Sequence, residues 1–241
     1  MLVQAAERSR PAAPSASGPA YALKESPASS HSVILRLAGQ GGGRRLLDVG
    51  AADGFLARRL TAQGWEVTGI EGNPELAGRA QSQGSRIVIA DLSRSLPELE
   101  GRFDVIVYGD VLEHLAQPQD VFGRLNRFLA PGGAVILSMP NIAHLWIRLQ
   151  LLLGRFRYAE RGILDRTHLR FFTLATFREF LRQEGIRCVE MQATPAPLEL
   201  VVPERWQGPW LKLLQEGHAL AARLWPGGLA YQFVAKGVQE P

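Results

Sequence analysis

The sequence predicts an α/β fold, a doubly wound, seven-stranded sheet with helices on both faces. Three observations predict it. Short apolar runs of strand length alternate with segments of helical period through most of the chain. The stretch Leu46-Leu47-Asp48-Val49-Gly50-Ala51-Ala52-Asp53-Gly54-Phe55 reads as a buried strand, a tight turn of small residues and a helix start. Small residues at such a turn let a ligand lie directly against backbone N–H groups. Three acids, Glu71, Asp91 and Asp110, stand just past the carboxyl ends of predicted strands, the edge along which ligands bind in open parallel sheets.

The elements follow in order. A helix runs from Ser29 or Ser30 to about Leu37 and precedes the glycine-rich link Gly39 to Gly43. After the first strand and turn, Phe55 to Leu60 forms an amphipathic helix ended by Gly64. Trp65 to Ile70 is the second strand, finished by Glu71, and a helix from about Pro74 to Gln83 carries proline in its first turn. The third strand, Arg86 to Ala90, ends in Asp91-Leu92, and the fourth, Phe103 to Tyr108, ends in Gly109-Asp110. A helix from about Asp120 to Leu129 runs into Pro131-Gly132-Gly133, and Ala134 to Met139 is the fifth strand. Asn141 to Arg155 reads as a helix apolar on most faces with arginine at its edges, too short and too charged to span a bilayer. It suits a lid over a substrate pocket or a contact with a membrane surface. Thr173 caps a helix from Leu174 to Glu184, with Phe177, Phe180 and Leu181 inward and Gly185 as its stop. The sixth strand, about Arg187 to Ala193, places Cys188 as a buried, inert thiol. A proline-rich excursion then contains a helix near Trp210 to Leu224, before the seventh strand, Ala230 to Lys236. Trp206, Trp210 and Trp225 read as an apolar wall, a dimer contact or plain core packing.

The chain has 241 residues, 46% hydrophobic and 21% charged, enough for one large domain with its own core. Residues 1–20, rich in Ala, Pro, Ser and Arg, read as a disordered arm without a secretory signal. Residues 21–241 read as the single domain, with insertions at about 141–172 and 195–228. The net charge of +4 is too mild and dispersed to argue for nucleic acid. The single cysteine excludes an internal disulfide and a cysteine-based zinc site and fits a reducing cytoplasm. The state expected is a monomer or homodimer acting on a small molecule, with peripheral contact to a membrane or a lipid-linked substrate as a further option.

The turn alone does not discriminate, because dinucleotide-binding turns look much the same, and Glu71 sits about twenty residues beyond it, where an acid meets ribose hydroxyls in both cases. The larger set of Asp48-Val49-Gly50-Ala51-Ala52-Asp53-Gly54, Glu71, Ala90-Asp91-Leu92, Gly109-Asp110-Val111-Leu112-Glu113-His114-Leu115 and Leu129-Ala130-Pro131-Gly132-Gly133 discriminates. In order and spacing it resembles the class I S-adenosylmethionine-dependent methyltransferases, in a ubiquinone-methyltransferase-like branch, over about residues 45–140. The resemblance departs at Ala52, where the family usually has a second glycine. It implies a Rossmann-like sheet of order 3-2-1-4-5-7-6 with the last strand antiparallel. It also implies S-adenosylmethionine as cofactor and S-adenosylhomocysteine as product. On that resemblance Gly50, Ala51 and Gly54 line the methionine part, and Asp48 anchors the loop or meets the amino group through water. Glu71 holds the ribose hydroxyls, Asp91 accepts from the adenine amino group, and Leu92 lies against the ring. Ala52, Gly72, Gly109 and Asp110 complete the cofactor set. The family often lays a leading helix over the cofactor, so Tyr21 and His31 are either contacts to it or ordinary surface residues. Asp48 and Asp91 equally suit caps of the turns that follow them.

Two constellations remain. Asp110 and Glu113 have the spacing of an N-cap and its reciprocal N3 acid. No metal is expected, and the alternative is that Asp110, Glu113 and His114, which share a helical face, hold a divalent metal such as magnesium. The segment resembles ubiquinone-biosynthesis O-methyltransferases, some of which use a metal in this way, while most relatives with Glu-His at this point need none. The segment Asp165-Arg166-Thr167-His168-Leu169-Arg170-Phe171-Phe172-Thr173 resembles a branch of bacterial methyltransferases in which it lies beside the active site. His168 is then a candidate general base, with His114 as another. Arg166, Arg170 and His144 are candidate substrate ligands, the arginines for a carboxylate or phosphate. The alternative is a structural knot with Asp165 paired to arginine and His168 bonded to backbone. The reaction expected from the resemblance is O-methylation of a small molecule such as a sugar, glycolipid precursor or secondary metabolite. Two other classes stay open. One is a non-catalytic cofactor-binding protein. The other is an NAD-dependent oxidoreductase, for which no Tyr-x-x-x-Lys pair is seen.

Overall fold

Seven strands form one sheet in the order β3-β2-β1-β4-β5-β7-β6. They are β1 (Arg45–Val49), β2 (Glu66–Glu71), β3 (Arg86–Ile89), β4 (Phe103–Gly109), β5 (Leu129–Pro140), β6 (Ile186–Thr194) and β7 (Gln232–Gln239). β1 pairs parallel with β2 and β4, while β7 runs antiparallel to both β5 and β6. The expected order and the reversed last strand are both present. The computed structural model describes residues 27–198, 202 and 204–240. The expected arm at residues 1–20, and Tyr21, lie outside the described residues.

Alternation along the strands builds two cores. Leu46, Val105, Val107, Ile136 and Val234 face one side, where α1 (Ser30–Ala38) and α2 (Phe55–Ala62) bury Val33, Ile34, Leu37, Leu56 and Leu60. Leu47, Val49, Ile106, Tyr108, Leu137 and Phe233 face the other, against Phe122 and Leu125 of α4 (Pro118–Asn126) and Phe177, Phe180 and Leu181 of α6 (Leu174–Gln183). With both faces covered, the central strands read as near-continuous apolar runs. α3 (Pro74–Ser82) is held through the small residues Ala77 and Ala80 against Ala51 and Ile87.

Several boundaries differ from expectation for tertiary reasons. α4 begins at Pro118 rather than near Asp120 and ends at Asn126, because the chain from Leu129 already pairs with Phe103. The expected helix from Asn141 shortens to α5 (Leu145–Leu152), capped by the His144 ring, which accepts from the Trp146 N–H at 3.2 Å. Asn141 is fully buried and donates its side-chain amide to the Ala230 carbonyl at 2.9 Å, so it is tied to the chain leading into β7 instead. The excursion after β6 contains α7 (Pro209–Leu224) and α8 (Pro226–Leu229). Cys188 is exposed, not buried, because β6 is the edge of the sheet and its pairing with β7 slips between Cys188 and Glu190.

Candidate functional site

The order of strands reverses between β1 and β4, and a cavity of about 300 Å³ opens there past their carboxyl ends. Gly50 forms its floor. Its φ of 74° is left-handed, and a Cβ there would meet Val111 Cγ2 at 2.9 Å. The Gly50 and Ala51 N–H groups both donate to the Ile70 carbonyl at 2.9 Å, which locks the turn onto β2. Ala52 is also left-handed, with φ 47°, and its N–H donates to Glu71 Oε2 at 2.8 Å. The other Glu71 oxygen accepts from the Asn73 N–H at 2.7 Å. Each oxygen of that carboxylate retains acceptor capacity toward the cavity it lines.

Asp48 lies one strand position deeper, 2% exposed, with its Oδ2 unpartnered among the described residues. Burial, and then the charge of Glu71, push its carboxyl up to about 7. An unpartnered polar atom in a nucleotide-sized cleft suits a cationic or hydrogen-bonding ligand group. Asp91 and Leu92 line the far end. The Asp91 carboxylate accepts from the Ser93 hydroxyl at 2.6 Å and pairs with Arg94 at 3.1 Å, contacts that hold its pKa below the usual carboxylate range. Asp91 therefore caps its own turn and also faces the cavity.

Of the residues expected around the cofactor, Asp48, Gly50, Ala51, Ala52, Glu71, Gly72, Asp91, Leu92, Gly109 and Asp110 line this one cavity, joined by His31 from α1. Gly54 does not. It starts α2 at φ 76°, and a Cβ there would meet Ala80 Cβ and Ser85 Oγ at 2.8 Å, so its smallness serves helix packing rather than the ligand.

The Asp110–Glu113 capping box does not form. Asp110 takes a left-handed φ of 53°, its N–H donates to Ser138 Oγ at 2.9 Å, and the Ser138 hydroxyl donates back to its carboxylate. Only a single 3-10 turn, Leu112–His114, follows, without a side-chain cap. Ser138 was not foreseen, although a polar residue in register with Gly109 at the end of an apolar strand is a legible signal.

His114 lines the cavity, and His168, 8% exposed, stands edge-on to it with ring centroids 4.7 Å apart. The His168 Nδ1 lies 3.1 Å from the Ile163 carbonyl, which can only accept, so Nδ1 carries the proton and Nε2 is free to accept one. His114 Nδ1 is placed likewise, 3.0 Å from Thr167 Oγ1 and 3.3 Å from the Thr167 carbonyl, while the Thr167 hydroxyl donates to Asp165 at 2.6 Å. Burial, followed by the neighbouring His168, lowers the His114 pKa and keeps it neutral. Tyr231 does not line the cavity but interacts with Asp110 and the Ile163 backbone, and burial followed by the charge of Asp110 pushes its hydroxyl up to about 12.

Among the described residues, the ligand atoms that converge are those of Glu113, His114 and His168, all within 4.8 Å of one another. Asp110, expected in a metal set, is engaged with Ser138 instead. Two imidazoles and one carboxylate suit a transition metal better than magnesium, which prefers oxygen donors.

The expected substrate ligands stand elsewhere. Arg170 donates to the Ala116 carbonyl from Nε at 2.9 Å and also from its terminal nitrogen, stitching the 165–173 segment to the chain after β4. Arg166 pairs with Glu160 at the surface. The alternative knot is therefore half present, with His168 on backbone but Asp165 bonded to Thr167 rather than to arginine. His144 caps α5 and packs against His218, away from the cavity.

A family model described as a methyltransferase domain matches residues 23–191. The chain belongs to the methyltransferase-domain family. A Mycobacterium sp. (strain KMS) protein named an uncharacterized methyltransferase is 39% identical over 99 residues, 40% of this chain and 39% of that protein. The ubiquinone biosynthesis O-methyltransferase of Pseudomonas aeruginosa (strain LESB58) is 33% identical over 105 residues, 41% of this chain and 45% of that protein. The alignments with these curated relatives thus span less than half of their length. Among solved structures, a magnesium protoporphyrin IX methyltransferase from Synechocystis PCC 6803 with bound S-adenosylhomocysteine superposes with a TM-score of 0.59 at 15% identity, over 88% of this chain and 83% of that one. Phosphoethanolamine N-methyltransferase 2 of Haemonchus contortus, in complex with S-adenosylmethionine, gives a TM-score of 0.60 at 15% identity over 88% and 52%. At such identities the likeness is one of fold, and the sheet order described above is that of these methyltransferases.

Proposed function

We propose that the chain binds S-adenosylmethionine in the cavity at the ends of β1, β2 and β4 and methylates a hydroxyl of a small-molecule acceptor. The observation that carries this reading is the convergence on one cavity of the Gly50 turn, the Glu71 carboxylate and the unpartnered Asp48 oxygen. The residues fit the cofactor. Glu71 would take the ribose hydroxyls, Asp48 the amino group of the methionine part, and Asp91 with Leu92 the adenine. When bound, S-adenosylmethionine supplies an electrophilic methyl carbon whose bond to sulfur breaks as the acceptor oxygen forms its own bond to carbon. The acceptor proton passes to His114 Nε2, because His114 lines the cavity with Nδ1 already engaged and its pKa lowered. Burial, with His168 as the second contribution, keeps His114 neutral, and His168 is then the neighbour of the base rather than the base itself. Oxygen as the methylated atom is supported by the name of the Pseudomonas aeruginosa relative.

Calorimetric titration tests the cofactor. Binding of S-adenosylmethionine and S-adenosylhomocysteine but not NAD is expected, and Glu71→Ala should weaken it at least about tenfold through loss of two charge-assisted hydrogen bonds. With an acceptor found by S-adenosylhomocysteine release, His114→Ala should lower turnover by about 10²–10⁴. His168→Ala should retain more activity and move the acid limb of the pH profile to higher pH, because the contribution of the His168 ring to lowering the His114 pKa is gone. Unchanged turnover in His114→Ala would rule out the base assigned here. A second reading rests on Glu113, His114 and His168, which would hold a divalent cation near the acceptor. Loss of turnover with a chelator, restored by a transition metal, would favour it.

A further inference from the structure

α5 is apolar on nearly all sides, yet it lies on the surface. Ile147 is its one buried residue, packed on Ile163 and Leu164. Leu152 is 83% exposed, and Trp146, Leu149 and Leu151 also face solvent. α7 adds a second exposed apolar set, in which Leu213 is 72% exposed and Leu224 78%. The two helices approach at one end, where the ring of His144, the cap of α5, lies 6.4 Å from His218 of α7, and Arg148 of α5 donates to the Gly227 carbonyl of α8, which follows α7, at 3.3 Å. Exposed apolar residues scattered singly are ordinary, whereas a concentration on two neighbouring helices marks an interaction surface.

Chemistry selects the occupant. Four of the five tryptophans are 48–63% exposed, Trp146 in α5, Trp210 in α7, Trp225 at the end of α7 and Trp206 just before it, while Trp65 is buried. Tryptophan and tyrosine settle at the headgroup level of bilayers, and arginine extends its charge past an apolar stem to reach phosphates. From Leu145 to Arg161 the chain carries four arginines, Arg148, Arg155, Arg157 and Arg161, against one acid, Glu160. A partner with an apolar interior and an anionic rim complements this composition. No helix among the described residues is long and apolar enough to cross a membrane, so the face can only lie on one.

We propose that the surface formed by α5, the loop to Tyr158 and the exposed side of α7 docks on a bilayer that contains anionic lipid. The docked face is linked to His168 through its buried side, because Ile147 of α5 packs on Ile163 and Leu164 and the Ile163 carbonyl holds the His168 ring. The inference does not depend on the methyl-transfer reading.

Co-sedimentation of the full chain with vesicles tests it, using phosphatidylcholine alone and phosphatidylcholine with about one-third phosphatidylglycerol, a content that gives a strongly negative surface. Binding at least about tenfold tighter to the anionic vesicles is expected, weakened by salt and accompanied by a blue shift of tryptophan emission. The double variant Leu152→Glu, Leu213→Glu should lose that binding by about tenfold or more while keeping wild-type melting and S-adenosylmethionine affinity. Failure of the wild-type chain to bind either vesicle overturns the proposal, as does a double variant that still binds. A wild-type dimer that the same substitutions convert to a monomer, read by light scattering, would show instead that a second copy covers this face.

Discussion

Asp48 combines a ligand role with a cost to the fold. Its carboxyl, pushed up to about 7 by burial and then by Glu71, starts from an ordinary 3.8. The folded protein therefore keeps a proton that the unfolded chain releases. Stability falls as pH rises between about 4 and 7 and levels off above, with a slope of up to about 1.4 kcal/mol per pH unit. Asp48→Asn should flatten that slope in urea titrations. It should also abolish the rise in S-adenosylmethionine affinity expected as Asp48 ionises through neutral pH to meet the ligand's amino group. Ala52 poses a different residue-scale question. At φ 47° a methyl group is strained, and glycine would relieve about 1–2 kcal/mol at some entropic cost. Ala52→Gly should raise stability by about 0.5–1 kcal/mol in denaturant unfolding. The turn itself was legible because small residues between an apolar run and a helix are a local signal. The left-handed geometry at Ala52 was not, since alanine does not announce it.

At the scale of elements, the helix starts were read where caps are local. Thr173 accepts from the Thr176 N–H at 3.2 Å, and the Thr176 hydroxyl accepts from the Thr173 N–H at 2.8 Å. Thr173→Ala should cost about 1 kcal/mol and Thr173→Ser much less, measured by thermal unfolding. The same reasoning failed at Asp110, whose spacing to Glu113 is that of a cap. Its carboxylate meets Ser138, 28 residues away, because β4 and β5 pair with Gly109 opposite Ser138. A cap motif loses when a neighbouring strand offers a buried hydroxyl to the same acid. The helix after β5 shortened for a related reason, with Asn141 drawn into contacts near β7.

For the whole molecule, the larger core joins β1, β4, β5 and β7 to α4 and α6 around Phe122, whose ring lies 4.9 Å from Tyr108 and 5.2 Å from Phe180. Phe122→Ala should destabilise by about 3–5 kcal/mol and lower cofactor binding only through unfolding, which denaturation and calorimetry together would separate. By itself the sequence determined the alternation of strands and helices, the small-residue turn after the first strand and the acids at the strand ends. Each of these depends on neighbours within a few residues, or on a strand period that sends alternate side chains to opposite faces. Tertiary structure alone decided which distant groups meet. It brought His114 to Thr167, 53 residues on, and to His168, and it occupied Arg170 with the Ala116 carbonyl. It also left Cys188 and the tryptophans of α5 and α7 at the surface, because burial depends on what packs against a segment and not on how apolar the segment is.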